Sequence, residues 1–354
     1  MRNTTTFQTL SRRMLTGTTA VASACALMLA AAPAQAQDKP VQFRFSSWVP
    51  AQHPLNPALI AWGESLKQAS GGTLSATMFP AQQLGKAFDH YDMARDGIAD
   101  FSYVNPGYQP GRFPVFSASS LPFLIANGKG GSAAVDAWYR SYAPKEMKDV
   151  KFCFAFVHDP GTFHSRKKIV LPTDIKGMKI RPAHEGVGRM VTLLGGTNVQ
   201  SSAPEVREII ERGVADAVTF PWGSIPLFGI DKVVSYHMDV PLYVTPFVWV
   251  MNQGKYNALS TAQKKVVDDH CTTEWAEKVA SNWAEFEYGG HAKLAAMPGH
   301  EVYKLTPAQL DAWRKAVAPV EAEWAKDLKD KTGQDPKAVM DALKQQLVKY
   351  KAAM

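Results

Sequence analysis

The chain has 354 residues, of which 46% are hydrophobic and 20% charged, which is enough for two ordinary domain cores and rules out wholesale disorder. Its formal net charge of +7 falls to a small excess without basic runs once Arg2, Arg12 and Arg13 are set aside, so we expect no nucleic-acid partner. Three cysteines without a CxxC pair exclude a disulfide-rich scaffold and a zinc finger, and no metal ion is expected.

Residues 1–36 have the pattern of a signal peptide. Basic residues end at Arg12-Arg13, an uncharged apolar run continues to Ala32, and the small residues Ala34 and Ala36 suit cleavage after Ala36. The arginine pair leaves the Sec and twin-arginine export routes both open. An uncleaved membrane anchor is the alternative interpretation. We therefore expect a mature protein that lies outside the cytoplasm and has no further membrane span.

The next two hundred residues alternate between strand and helix patterns. Strands are predicted at 41–49, 73–79, 101–104, 152–157, 178–180, 215–219 and 244–252. Helices are predicted at 57–69, 86–95, 186–194 and 204–212. Alternation of this kind predicts an α/β chain with mostly parallel sheets.

The last hundred residues are helical in pattern. One long helix is predicted over 260–296, followed by helices over 306–331 and 336–350. A helix of 37 residues would be roughly 50 Å long, enough to lie across two domains. Cys153 and Cys271 can pair in an oxidising compartment, and two buried free thiols are the alternative.

No constellation of catalytic residues is visible. The sequence contains no GxSxG, no HExxH and no phosphate-binding glycine loop. His158 and His164 flank a turn at a spacing that suits no metal site. We therefore expect a protein that is not an enzyme and carries no cofactor, with an exported enzyme as the rival interpretation.

Arg181 stands out as a candidate ligand-binding residue. It ends the predicted strand in Gly177-Met178-Lys179-Ile180-Arg181-Pro182, directly before a predicted helix. In open α/β sheets ligands bind at the carboxyl ends of strands, and a guanidinium holds a carboxylate with two parallel hydrogen bonds. A surface ion pair with Glu185 is the alternative role.

Four stretches resemble the DctP-type solute-binding proteins of tripartite ATP-independent periplasmic (TRAP) transporters. They are PAQQLGKAFDHYDMARDGIADFSY (80–103), FPVFSASSLPFL (113–124), LPTDIKGMKIRP (171–182) and LGGTNVQSSAPEVREIIERGVADAV (194–218). The resemblance extends over about residues 41–350. It implies a periplasmic-binding-protein-like fold whose two α/β domains, joined by hinge strands and a long helix, close over one organic acid. Domain I would comprise 37–158 plus about 251–289, and domain II 159–250 plus about 290–354.

The resemblance also suggests site residues. Arg181 matches the family's carboxylate-binding arginine, Asn105 a polar contact from the first domain, and Trp48 the ligand-facing end of the first strand. Phe163 or His164 occupies the loop where sugar-acid binders carry a second arginine. The segment Thr219-Phe220-Pro221-Trp222 departs from the family, which often has an acidic or amide pair there. Rings are thus expected at several ligand-facing strand ends: Trp48, Tyr103, Phe163, Phe220 and Trp222, with Tyr243, Phe247 and Trp249 further along.

An apolar slot with one arginine suits a planar aromatic monocarboxylate of the benzoate or hydroxycinnamate kind. His164 and His184 are candidates to meet a ring hydroxyl, and an ordinary surface histidine is the alternative for either. An aliphatic 2-oxo acid, another hydrophobic monocarboxylate or a C4-dicarboxylate is the alternative ligand, and a sensor that hands its ligand to a receptor is an alternative role. The expected partners are a small organic acid and the TRAP membrane subunits, and the protein is expected to be a monomer rather than a homodimer.

Overall fold

The computed structural model describes residues 38–354, and the predicted signal peptide lies outside this range. The strands are β1 (Val41–Ser46), β2 (Leu74–Phe79), β3 (Phe101–Val104), β4 (Val150–Val157), β5 (Thr162–Ser165), β6 (Lys179–Arg181), β7 (Thr197–Asn198), β8 (Ala217–Phe220), β9 (Tyr236–Met238), β10 (Pro246–Asn252) and β11 (Glu301–Tyr303). The helices are α1 (Leu55–Ala69), α2 (His90–Arg95), α3 (Gly128–Tyr139), α4 (Ala143–Glu146), α5 (Glu185–Leu193), α6 (Val206–Glu211), α7 (Ser224–Leu227), α8 (Gln253–Asn257), α9 (Thr261–His270), α10 (Thr273–Ala295), α11 (Pro307–Val317), α12 (Pro319–Thr332) and α13 (Pro336–Lys349). The predicted α/β fold class is confirmed.

The first sheet has the strand order β2-β1-β3-β10-β4. Strand β1 pairs in parallel with β2 and β3, whereas β10 runs antiparallel to β3 and β4. Helix α1 packs against this sheet through a buried face repeated every three or four residues, Leu55, Leu59, Trp62 and Leu66. The Trp62 ring lies 5.6 Å from Phe45 and 5.1 Å from Phe101. These contacts fix the orientation of β1 and β3, whose carboxyl ends reach the site described below.

The second sheet has the order β11-β9-β5-β8-β6-β7. Strand β6 pairs in parallel with β7 and β8, and β5 runs antiparallel to β8 and β9. In each sheet of the described residues one strand therefore opposes the others. Helix α5 buries Val187, Met190 and Val191 and packs against β7, the edge strand next to β6.

Two chain segments connect the sheets, and they lie side by side. Residues 158–161 lead from β4 to β5, and residues 239–245 return from β9 to β10. The Gly161 amide donates to the Tyr243 carbonyl at 2.8 Å. The Thr245 amide donates to Nε2 of His158 at 3.0 Å. Each segment leads directly into the strand that runs antiparallel to its neighbours. Residues 158–161 lead into β5, and residues 239–245 lead into β10.

Helix α10 forms a third connection between the sheets. It packs against α1, α3 and β4 on the side of the first sheet and reaches α7 and β11 on the side of the second. All these elements belong to one compact unit, Pro40–Met354.

The prediction of one helix over 260–296 is wrong. The structure has two helices, α9 and α10, separated at Cys271 and Thr272. Cys271 forms a disulfide with Cys153 of β4, and the Thr272 side chain accepts a hydrogen bond from the Trp275 amide as the N-cap of a new helix. The disulfide answers the question of cysteine pairing that the sequence left open.

The prediction of one helix over 306–331 is also wrong, because the chain forms α11 and α12 with a break before Pro319. Proline lacks the N–H that a continuous helix requires. The other predicted strands and helices are present, with ends that differ by up to four residues. Strands β5, β7, β9 and β11 have two to four residues each, too few for a periodic signal. None of the helices in residues 38–354 is long and apolar enough to cross a membrane.

Candidate functional site

A pocket of about 360 Å³, including the open space at its mouth, lies between the two sheets. Trp48 follows β1, Asn105 follows β3, Arg181 ends β6 and Phe220 ends β8, so four strands present their carboxyl ends to it. The remaining lining residues come from the two crossing segments, β10, α7, α10 and nearby turns: Val49, His53, Tyr108, His158, Ala183, Ala203, Pro221, Ser224, Phe228, Thr245, Phe247 and Trp283.

Arg181 is the charged residue of this pocket. Its side chain is only 1% exposed. Nε donates to the Ser201 carbonyl and Nη2 to the Tyr108 hydroxyl, each at 2.9 Å, which uses two of the five N–H donors of a guanidinium. No carboxylate within residues 38–354 forms an ion pair with it. Burying a charge without a counter-ion is costly, so this arrangement favours an anionic ligand.

Tyr108 and Asn105 join the two sides of the pocket. The Tyr108 hydroxyl accepts from Arg181 and from the Ala203 amide, both at 2.9 Å. Its own proton is therefore available to another acceptor. Asn105 donates from Nδ2 to the Ala183 carbonyl at 3.2 Å and accepts from the Gly107 amide at 3.0 Å. The turn after β3 is thus held against the turn after β6, and Arg181 is oriented from both.

Aromatic rings form the wall around Arg181. The guanidinium carbon lies 5.6 Å from the centre of the Phe220 ring, which lies 5.3 Å from Phe228. On the other side, Trp48 lies 6.0 Å from Tyr108 and 6.2 Å from Phe247. Such surfaces bind an apolar planar body and leave its charge to the arginine.

Four predicted site residues line this pocket: Arg181, Asn105, Trp48 and Phe220. Phe220 therefore faces the pocket and is at the same time 4% exposed. The indole Nε1 of Trp48 has no hydrogen-bond partner among the described residues. The strand-end argument gave Arg181, and the family resemblance suggested the other three.

The other four predicted residues lie elsewhere. Tyr103 stacks behind Trp48 at 4.8 Å and does not reach the lining. Phe163 packs in the core, 5.6 Å from Trp313. His164 lies on the opposite face of β5 from Phe163, since successive side chains of a strand alternate. Trp222 packs edge-on against His164 at 5.2 Å, one layer away from the pocket.

The sequence reasoning missed Tyr108, His53, Phe228 and Trp283. A signal existed for the first two, because each follows a predicted strand within a few residues, as Asn105 and Trp48 do. No local signal marks Phe228 and Trp283. Phe228 directly follows α7, and Trp283 lies in the middle of α10. Only the packing of these helices brings the two rings to the pocket.

Burial keeps the pocket histidines neutral. Desolvation, with a smaller contribution from the neighbouring His158, lowers the pKa of His53 to about 3. Desolvation lowers the pKa of His158 to about 4, although its hydrogen bond to the Asp159 carbonyl opposes the shift. At neutral pH, Arg181 is therefore the cation that this lining offers to a ligand.

Solved structures with the same fold bind organic acids. A TRAP solute-binding protein from Rhodoferax ferrireducens T118, in complex with copurified benzoate, is 26% identical with a TM-score of 0.82, covering 88% of this chain and 98% of that chain. A marine metagenome TRAP protein specific for aromatic acid ligands, in complex with metahydroxyphenylacetate, is 32% identical with a TM-score of 0.81, covering 88% and 99%. A Roseobacter denitrificans TRAP protein with bound β-D-glucuronate is 22% identical with a TM-score of 0.75, covering 86% and 99%, and shows the shared fold.

The model of bacterial extracellular solute-binding proteins, family 7 (DctP), matches residues 45–327. Matches to four curated relatives span 42% to 70% of the length of those relatives. The family and the similar structures consist of transport binding proteins rather than enzymes. These matches agree with the buried arginine in a pocket between two β-sheets. The chain belongs to the DctP family of TRAP-type extracellular solute-binding proteins.

Proposed function

We propose that this protein is the periplasmic substrate-binding subunit of a TRAP transporter and that it captures an aromatic monocarboxylate. The observation that carries the proposal is Arg181, buried without an acidic partner in the described chain and set among aromatic rings. The carboxylate would bind the free N–H groups of Arg181, and the ring would lie among Trp48, Phe220 and Phe247. The benzoate-bound and aromatic-acid-specific relatives support this ligand class.

The apolar lining disfavours the alternative ligands. A sugar acid or a C4-dicarboxylate needs several further donors or a second cation, and a 2-oxo acid gains no ring contacts. Delivery would follow from closure of the two sheet-bearing domains over the acid, and the TRAP membrane subunits would then receive it from a monomeric, exported binding protein.

A ligand panel tests the proposal. Benzoate, 4-hydroxycinnamate, pyruvate, succinate and glucuronate are added in turn, and the melting temperature is measured. A ligand present at 100 times its dissociation constant stabilises the protein by about 2.7 kcal/mol. We expect the aromatic acids to give the largest increase. A larger increase with glucuronate or succinate than with any aromatic acid would contradict the ligand class.

Titration calorimetry of two matched variants tests the anchor. Arg181→Lys should weaken binding by about 2–5 kcal/mol, because an ammonium cannot replace the planar fork and the buried site keeps an imperfectly paired charge. Arg189→Lys is the control, since Arg189 pairs with Glu185 and Asp327 outside the pocket. This variant should bind the ligand with wild-type affinity. Equal ligand affinities of the two variants would show that Arg181 does not bind the ligand.

A further inference from the structure

Three buried histidines around the pocket have both ring nitrogens occupied by the protein. His158 donates from Nδ1 to the Asp159 carbonyl and accepts at Nε2 from the Thr245 amide. His164 contacts the Phe220 carbonyl through Nε2 and His237 through Nδ1. His184 donates from Nε2 to the Val244 carbonyl and accepts at Nδ1 from the Val187 amide. These rings hold the fold together and have no nitrogen left for a ligand, which corrects the expectation for His164 and His184.

His53 differs from all three. Its Nδ1 accepts a hydrogen bond from the Leu55 amide at 3.2 Å. Because an amide only donates, Nδ1 carries no proton, and the neutral ring places its proton on Nε2. No group in residues 38–354 accepts from Nε2. The side chain is 1% exposed and lines the pocket, so it presents an unused donor there.

The position of His53 relative to Arg181 sets which part of a ligand it meets. The Phe220 and Phe228 rings link the two residues through a series of contacts, which are 5.6 Å from Arg181 to Phe220, 5.3 Å from Phe220 to Phe228 and 6.3 Å from Phe228 to His53. His53 also lies 5.0 Å from Trp283, on the far wall. A ring whose carboxylate is held by Arg181 would therefore point its opposite edge toward His53.

We infer that His53 selects aromatic carboxylates that carry an oxygen substituent, such as a hydroxyl, at the meta or para position, by donating from Nε2–H to that oxygen. This inference rests on the proposed function and adds the second polar contact of the same site. An ortho hydroxyl would lie beside the carboxylate and out of reach of His53. The pocket would then distinguish positional isomers that have the same charge and nearly the same apolar area.

The test is titration calorimetry with benzoate and its 2-, 3- and 4-hydroxy derivatives. In the wild type we expect the 3- or the 4-hydroxy isomer to bind about two- to tenfold more tightly than benzoate, the range of one neutral hydrogen bond. We expect no such gain for 2-hydroxybenzoate. This ranking needs no variant and stands even if substitutions at His53 impair folding.

Two substitutions test the roles of the two ring nitrogens of His53 separately. The amide oxygen of His53→Asn can replace Nδ1 as acceptor for Leu55 and places no donor at the Nε2 position. The amide nitrogen of His53→Gln can replace the Nε2 donor. We expect His53→Asn to abolish the preference, so that this variant binds benzoate and its 3- and 4-hydroxy derivatives with similar affinity. His53→Gln should keep part of the preference.

The outcomes distinguish the two proposals. Benzoate binding with no preference for a 3- or 4-hydroxy isomer, or a preference that His53→Asn leaves unchanged, overturns the role of His53 and leaves the proposed function standing. Failure of every aromatic acid to bind, with a sugar acid or dicarboxylate bound instead, overturns both.

Discussion

At the scale of single residues, Tyr108 decides how Arg181 is presented. Its hydroxyl oxygen accepts from a guanidinium of β6 and from the Ala203 amide, both at 2.9 Å, while the tyrosine itself lies in the turn after β3. An acceptor that serves two buried donors at once holds both in place. Tyr108 is therefore a positioning residue for the carboxylate contact, whether or not its own proton reaches the ligand.

Tyr108→Phe should weaken binding of the aromatic acid by about 1–3 kcal/mol, because two buried donors lose their acceptor. Titration calorimetry measures this loss. Tyr142→Phe is the matched control, since no hydrogen bond of the Tyr142 hydroxyl is found among the described residues. Wild-type affinity in Tyr108→Phe would show that Arg181 needs no second support.

At the scale of elements, helix α10 must approach the chain after β8 closely. A Cβ atom on Gly290 would lie 2.1 Å from the Gly223 nitrogen and 2.3 Å from its Cα, and both are backbone atoms that cannot rotate away. The same crossing is tied by Glu287, which accepts from the Ser224 amide at 2.9 Å and from Trp283 Nε1 at 2.7 Å. The absence of a side chain at position 290 allows this contact.

Gly290→Ala should lower the free energy of unfolding by about 1–3 kcal/mol or more, because overpacking forces the backbone to shift. Its neighbour provides the control. A Cβ on Gly289 would meet nothing within 4 Å, so Gly289→Ala should raise stability by about 0.5–1 kcal/mol through helix propensity. Urea denaturation measures both variants, and equal effects of the two substitutions would contradict the proposed crowding.

At the scale of the whole molecule, buried histidines make stability depend on pH. Desolvation is the largest cause in each case and lowers the pKa to about 3 for His53 and His184, to about 4 for His90, His158 and His237, and well below 6.5 for His164. These rings are neutral in the folded state and titrate near pH 6.5 when unfolded. As the pH falls below 6.5, the unfolded state takes up protons that the folded state does not, and stability is lost.

Each such ring lowers the free energy of unfolding by about 1.4 kcal/mol for each pH unit below 6.5, until the pH reaches the pKa of the ring in the folded state. Glu287 acts in the opposite direction. Desolvation raises its pKa to about 7, so its contribution is largest at low pH and decreases as the pH rises toward 7. Burial also raises the pKa of Asp136, Glu146 and Asp159, which act in the same direction as Glu287. Because the six histidines outnumber these four carboxyls, we expect the free energy of unfolding to fall by several kcal/mol between pH 6.5 and 5. Guanidinium denaturation at the two pH values measures the change, and equal stability would show that these rings are not neutral and buried.

The sequence by itself determined most of the longer strands and several helices, and it placed Arg181 at the end of a strand. The alternation of short apolar strands with helices of 3.6-residue period predicted the α/β fold, and Arg181 was placed at a strand end by the residues next to it. Such signals are local, because backbone propensity and side-chain periodicity act over a few neighbouring positions. Trp48, Asn105 and Phe220 were suggested by the family resemblance, and each ends a strand or follows one within two residues.

Only the tertiary structure decided which rings and nitrogens face the pocket. Phe163 packs in the core and His164 lies on the opposite face of β5, because adjacent side chains of a strand point to opposite faces, and neither residue lines the pocket. The helix predicted over 260–296 breaks at Cys271, whose disulfide partner, Cys153, is 118 residues away in the chain. His53 is available to a ligand, whereas His158, His164 and His184 are not, because their partners come from distant segments. Hydrogen bonds and packing between distant residues depend on the folded chain as a whole, and no local pattern encodes them.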